Sequence, residues 1–81
     1  MLGDKKPKIM RSYGVVLRRA RLQKKLTQEK LALEAEVEPN FVSLIELGRN
    51  QPSLVTIFKL AKALGRTPSQ IMTLVEKELK R

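Results

Sequence analysis

The 81-residue chain contains no cysteine, no histidine and no tryptophan, and two phenylalanines and one tyrosine are its whole aromatic content. Without cysteine no disulfide or thiolate metal site can form. Without histidine the commonest general base and zinc ligand are missing as well, so neither a metal nor a cofactor is expected. So few rings leave little from which to build the stacking platforms of single-stranded RNA readers. No nucleophile–base pair stands at a recognisable spacing and no glycine-rich phosphate loop is present, so the chain reads as a binding protein and not an enzyme. Long apolar runs are missing too. Ile9–Met10 and Val15–Leu17 are separated by Arg11 and are too short for a signal-peptide core. Nothing approaches the ~18 apolar residues of a membrane span. The expectation is a cytoplasmic protein with no membrane partner.

What the chain has in excess is positive charge: 17 Lys and Arg against 8 Asp and Glu, a net of +9. The excess is lopsided. Residues 1–25 carry nine basic residues against Asp4 alone, while the rest of the chain is nearly balanced. Such a distribution favours a polyanionic partner, nucleic acid before an anionic membrane surface. The length leaves room for one domain with a small core. Residues 1–10, with Gly3, Pro7 and a lysine cluster but no periodicity, read as a flexible basic arm, and residues 11–81 as a single domain.

From there on apolar residues recur at helical spacing, and no segment alternates with period two, which predicts an all-α bundle of five helices. The first helix is expected over about 12–24, with Ser12 as cap and Leu17 and Arg21 on one face. Thr27 caps the second, with Glu29 in its first turn and Leu31, Ala32 and Ala35 inward. Pro39 opens the third, which turns Val42 and Ile45 to the core and ends before Gly48. The fourth starts at Ser53, buries Ile57, Leu60, Ala61 and Leu64, and stops at Gly65. Thr67-Pro68-Ser69-Gln70 has the form of a capping box, and the fifth helix carries Ile71, Met72, Val75 and Leu79.

The short link around Glu36–Glu38 forces a sharp angle between two short helices, a helix-turn-helix over about residues 27–47. Ala32 lets the helices approach and Val37 plugs the core beneath the turn. This arrangement makes the second helix protrude, so that its first turn reaches base edges.

Over roughly residues 13–72 the chain resembles the Xre-like, lambda-repressor-like helix-turn-helix family. The likeness rests on Tyr13-Gly14, Leu17, Arg21, the run Leu26-Thr27-Gln28-Glu29-Lys30-Leu31-Ala32, and Phe41 through Gly48. Pro52-Ser53-Leu54 and Leu60-Ala61-Lys62-Ala63-Leu64-Gly65 complete it. The resemblance implies a sequence-specific regulator of transcription that lays a recognition helix, residues 39–47, in the major groove of double-stranded DNA. It implies base contacts from Asn40, Ser43 and Leu44, which suit adenine, either partner and a thymine methyl respectively. Phosphate contacts fall to Thr27 and Gln28 at a helix N-terminus, and to Arg49, Asn50 and Gln51 after the recognition helix. Arg21 and Glu46 are implied to be a buried structural ion pair, and Phe41 a structural residue. The chain departs from the family at Lys25 and Glu36, where glycine is frequent; each costs about 1 kcal/mol if its backbone is left-handed. Glu38 and Pro39 stand where Gln, Ser or Arg is usual, and Pro39 has no side-chain hydrogen bond to offer a base.

One recognition helix reads only a few base pairs, so a homodimer on a pseudo-palindromic operator is expected. Met72, Val75 and Leu79, with Leu74 beside them, are the candidate dimer surface; packing inside a monomer is the competing role. The competing function is a protein-interaction adaptor or antitoxin that keeps the fold, which the acidic Glu36 and Glu38 favour.

Overall fold

In the computed structural model, which describes the backbone of residues 2–81 and the side chains from residue 6 onward, five helices follow one another without a strand. They are α1 (Leu2–Gln23), α2 (Gln28–Ala35), α3 (Pro39–Glu46), α4 (Leu54–Ala63) and α5 (Pro68–Leu79). Local chemistry sets most of the boundaries. The Thr27 and Ser53 hydroxyl oxygens accept from the backbone N–H of Lys30 and Thr56, and Thr67 with Gln70 closes a reciprocal capping box. Each cap satisfies donors that a helix start leaves open. Gly48 and Gly65 end α3 and α4 in the left-handed region, at φ 74° and 72°, where lacking a Cβ removes the steric cost.

Two expectations change. Residues 2–10 are not an irregular arm, because α1 begins at Leu2 and carries Pro7 inside it; Met1 lies outside the described residues. Pro7 removes one helical hydrogen bond, but Ile9 and Met10 are half-buried and Tyr13 is buried on the same side. They line a groove with Pro52, Ile57, Met72 and Val75. Apolar burial outweighs local propensity here, since helices are stabilised mainly by tertiary packing. Ser12 consequently is no cap. It lies buried in the middle of α1.

The core joins all five helices through Leu17, Leu31, Val42, Ile45, Leu60 and Ile71, each at most 1% exposed. The candidate dimer residues on α5 belong largely to it: Val75 is buried, and Met72, Leu74 and Leu79 pack half-buried against the same cluster. Gly14 sets the α1–α3 separation. A Cβ there would stand 2.5 Å from the Ile45 carbonyl oxygen and 2.6 Å from that of Glu46. Only a glycine lets α1 cross the end of α3 this closely.

Candidate nucleic-acid interface

The corner between α2 and α3 is built from a left-handed residue. Glu36 takes φ 59° and ψ 47°, and its N–H donates to the carbonyls of Ala32 and Leu33. The next N–H, that of Val37, donates to the Ala32 carbonyl at 2.9 Å. Val37 then packs half-buried against the core, and Glu38 precedes Pro39, the first residue of α3. Lys25 is also left-handed, at φ 61°. Both departures from glycine therefore fall where the backbone favours glycine, and each carries a steric cost of about 1–2 kcal/mol.

Arg21, at the end of α1, and Glu46, at the end of α3, meet in the interior with side chains 9% and 3% exposed. Arg21 Nε donates to Glu46 Oε2 at 2.6 Å and Nη2 to Oε1 at 3.1 Å, a bidentate pair. Arg21 Nη1 also donates to the Leu26 carbonyl at 2.7 Å. Gln28 Nε2 donates to Glu46 Oε1 at 2.9 Å. One buried network thus ties the end of α1, the turn into α2, the first residue of α2 and the last of α3. Forked geometry with extra hydrogen bonds is what makes a buried ion pair tolerable.

The bond to Glu46 was not legible in the sequence, where Gln28 reads as a free phosphate-holding side chain. It arises because α2 and α3 cross, which brings residues 18 apart in sequence together. The amide keeps its second N–H and its carbonyl oxygen for other partners. Beside it, a notch between the starts of α2 and α3 is lined by Thr27, Gln28, Glu29, Pro39, Asn40 and Ser43. Asn40 is exposed, while Ser43 and Leu44 are half-buried. The Thr27 oxygen accepts from Lys30 N–H, and its own hydroxyl proton stays available.

After α3, Arg49 and Gln51 are exposed and Asn50 half-buried. Gln51 stands apart from the notch, beside the α1–α4–α5 groove. Phe41 is half-buried against the core. Two further cations, which the sequence did not single out, stand near α3. Arg18 and Arg19 of α1 line a cleft with Gln28, Ser43 and Leu47. The basic bias of residues 1–25 was the signal for them, but which cations share a cleft with α3 depends on how α1 crosses it. Arg19 is partly engaged by Glu78 of α5 at 3.3 Å. Among the described residues no group of acidic side chains is arranged to hold a metal ion, and no helix is long and apolar enough to cross a membrane.

Comparison with known proteins agrees with this arrangement. A family model described as helix-turn-helix matches residues 17–71. The chain is similar to control protein C.BamHI of Bacillus amyloliquefaciens, at 39% identity over 61 residues, covering 74% of this chain and 75% of that one. It is 41% identical over 54 residues to multiprotein-bridging factor 1 of Candida albicans, which covers 67% of this chain but 36% of that protein. Among solved structures, the restriction-modification controller protein C.AhdI from Aeromonas hydrophila matches with a TM-score of 0.75 at 37% identity, over 76% of this chain and 94% of that one. The left-handed corner at Glu36, the Thr27 cap and the buried Arg21–Glu46 pair accord with these matches, and the chain belongs to the Xre-like helix-turn-helix family.

Proposed function

We infer that this protein is a sequence-specific, double-stranded-DNA-binding regulator of transcription that works in the cytoplasm as a homodimer on a pseudo-palindromic operator and has no catalytic role. The observation that carries the reading is the notch between the starts of α2 and α3. It sets Asn40 and Ser43, polar and outward on α3, beside the cap of α2, whose first N–H groups point out of the helix. A helix start of that kind suits a phosphate oxygen, and α3 beside it suits base edges. Glu46 holds Gln28 in place, so the side chain meets phosphate already oriented. Arg18, Arg19 and Arg49 supply the flanking positive field, which strengthens binding without adding sequence information. Control protein C.BamHI and controller protein C.AhdI bear names of the same kind, which supports a regulatory role.

A test is selection of duplexes from a random pool, followed by fluorescence anisotropy across a salt series. The expected outcome is an inverted repeat bound about a thousandfold or more tighter than random DNA. Asn40→Ala should relax preference at one position per half-site, whereas Arg49→Ala should weaken all duplexes alike and flatten the salt dependence. Weak binding that vanishes near physiological salt, with no selected motif, would overturn the reading. The adaptor reading would then lead. Its support is the exposed acidic pair Glu36 and Glu38 beside Pro39, together with the likeness to a multiprotein-bridging factor.

A further inference from the structure

Lys6, Ile9, Met10 and Tyr13 stand three, one and three residues apart on α1, the spacing of one helix face. With Ile57 of α4 and Met72 and Val75 of α5, that face bounds a groove of about 510 Å³, a size ordinary for small-molecule sites. The wall is mostly apolar. Its polar side chains are Lys6, Gln51 and Tyr13, and among the described residues no carboxylate lines it.

Tyr13 is 6% exposed. Its hydroxyl has no hydrogen-bond partner among the described residues, although every wholly buried side-chain polar atom there has one. The oxygen therefore opens on the groove that the ring lines. The core takes the ring and leaves the hydroxyl unused, and an unpartnered polar group so deep in a fold needs a reason.

We propose that this groove binds an amphipathic carboxylate, an acid whose acyl chain lies along Ile9, Met10, Ile57, Met72 and Val75 and whose head accepts a hydrogen bond from the Tyr13 hydroxyl. The site shares no residue with the notch between α2 and α3, and it stands independently of the regulator reading. Three observations select this chemistry.

The first is the wall. Each methylene it takes out of water strengthens binding roughly three- to fourfold, and the two methionines can adjust to a chain's outline. The second is the phenol. Burial keeps it protonated at neutral pH, so it donates to an anion and does not repel one. The third is charge. Lys6 stands on the wall without a carboxylate beside it, and residues 1–25 carry nine basic residues against Asp4 alone. That field attracts an anionic head and disfavours a cationic one. It also disfavours a second copy as the occupant, because a two-fold contact centred on the groove sets Lys6 against Lys6.

The test titrates sodium decanoate, below its micelle-forming concentration, into the full chain labelled with ¹³C at the methionine methyl groups. The Met10 and Met72 resonances should move together and saturate. Tyr13 is the single tyrosine and tryptophan is absent, so intrinsic fluorescence should follow the same curve. Acetate, a head without a chain, should move neither signal. Decyltrimethylammonium, the same chain with the opposite charge, should bind about tenfold or more weaker. Tyr13→Phe should weaken decanoate about tenfold, the scale of one hydrogen bond to a charged group. Lys6→Gln, at an exposed position, should weaken it about two- to fivefold. Circular dichroism checks that each variant is folded, and the comparison of heads decides if Tyr13→Phe is not. Unmoved Met10 and Met72 resonances, equal binding of the two heads, or undiminished affinity in folded Tyr13→Phe would each overturn the proposal. So would resonances that move with protein concentration and not with decanoate, which would put a second copy in the groove.

Discussion

Two regions of this small domain break the rule of apolar inside and charged outside, and they break it in opposite directions. Between α1 and α3 a guanidinium and a carboxylate are buried almost completely. On α4 a leucine, a valine and a phenylalanine face outward. Glu46 is the last residue of α3, and the exposed residues open the helix that follows it. The buried pair fastens the end of α3 to its own domain, whereas the exposed patch on α4 takes no part in the packing of that domain. The comparison teaches that side-chain character alone does not tell inside from outside. Partners decide it: Glu46 has three donors around it, whereas Phe58 has no such claim on its ring within the fold.

The comparison can be broken most severely at the buried charges. Glu46→Ala leaves Arg21 buried without its counter-charge and frees the Gln28 amide, so stability should fall by about 3–5 kcal/mol. Chemical denaturation reads this directly, and an unchanged midpoint would mean the pair holds nothing. Next comes the spacing that lets the pair form. Gly14→Ala forces a methyl against two carbonyl oxygens and should cost about 1–3 kcal/mol, despite the better helix propensity of alanine. A gain in melting temperature would show that α1 and α3 separate freely.

The same buried seam holds Tyr13, whose phenol is pushed well above its ordinary pKa of 10.0 by burial. The unfolded chain then loses this proton at lower pH than the folded one. Stability is therefore fully present below pH 10 and declines as the pH rises beyond it. Tyr13→Phe should remove that part of the alkaline decline, as followed by circular dichroism against pH. A decline of equal size in both proteins would assign it elsewhere. At the corner, Glu36→Gly relieves a left-handed glutamate and should stabilise the fold by ~0.5–1 kcal/mol. Smallest of all, Phe58→Ala should change the stability of the monomer by no more than about 0.5 kcal/mol. A large loss in dilute, monomeric protein would mean the ring serves the core after all, and the contrast between the two regions would collapse.

Much of this was readable before the structure. The capping hydroxyls at Thr27, Ser53 and Thr67 act on backbone N–H groups three residues on, so sequence neighbours suffice to define them. The helix-turn-helix corner follows from a link too short to do anything but turn sharply. Glu36 and Lys25 betray their left-handed backbone by standing where glycine is usual in the family. The pairing of Arg21 with Glu46 was legible only through resemblance, because nothing in their separation of 25 residues announces contact.

Tertiary structure decided the rest. It ran α1 back to Leu2 through a proline, because Ile9, Met10 and Tyr13 find apolar neighbours on α4 and α5. It gave Gln28 an inward bond, buried Val75 with Met72 and Leu79 half-covered beside it, and left Leu54, Val55 and Phe58 outside the core. These outcomes share one cause. A cap or a tight turn depends on atoms a few residues away, which the chain spells out in order. Burial depends on which helices cross and at what distance, and that is settled only when all five are in place.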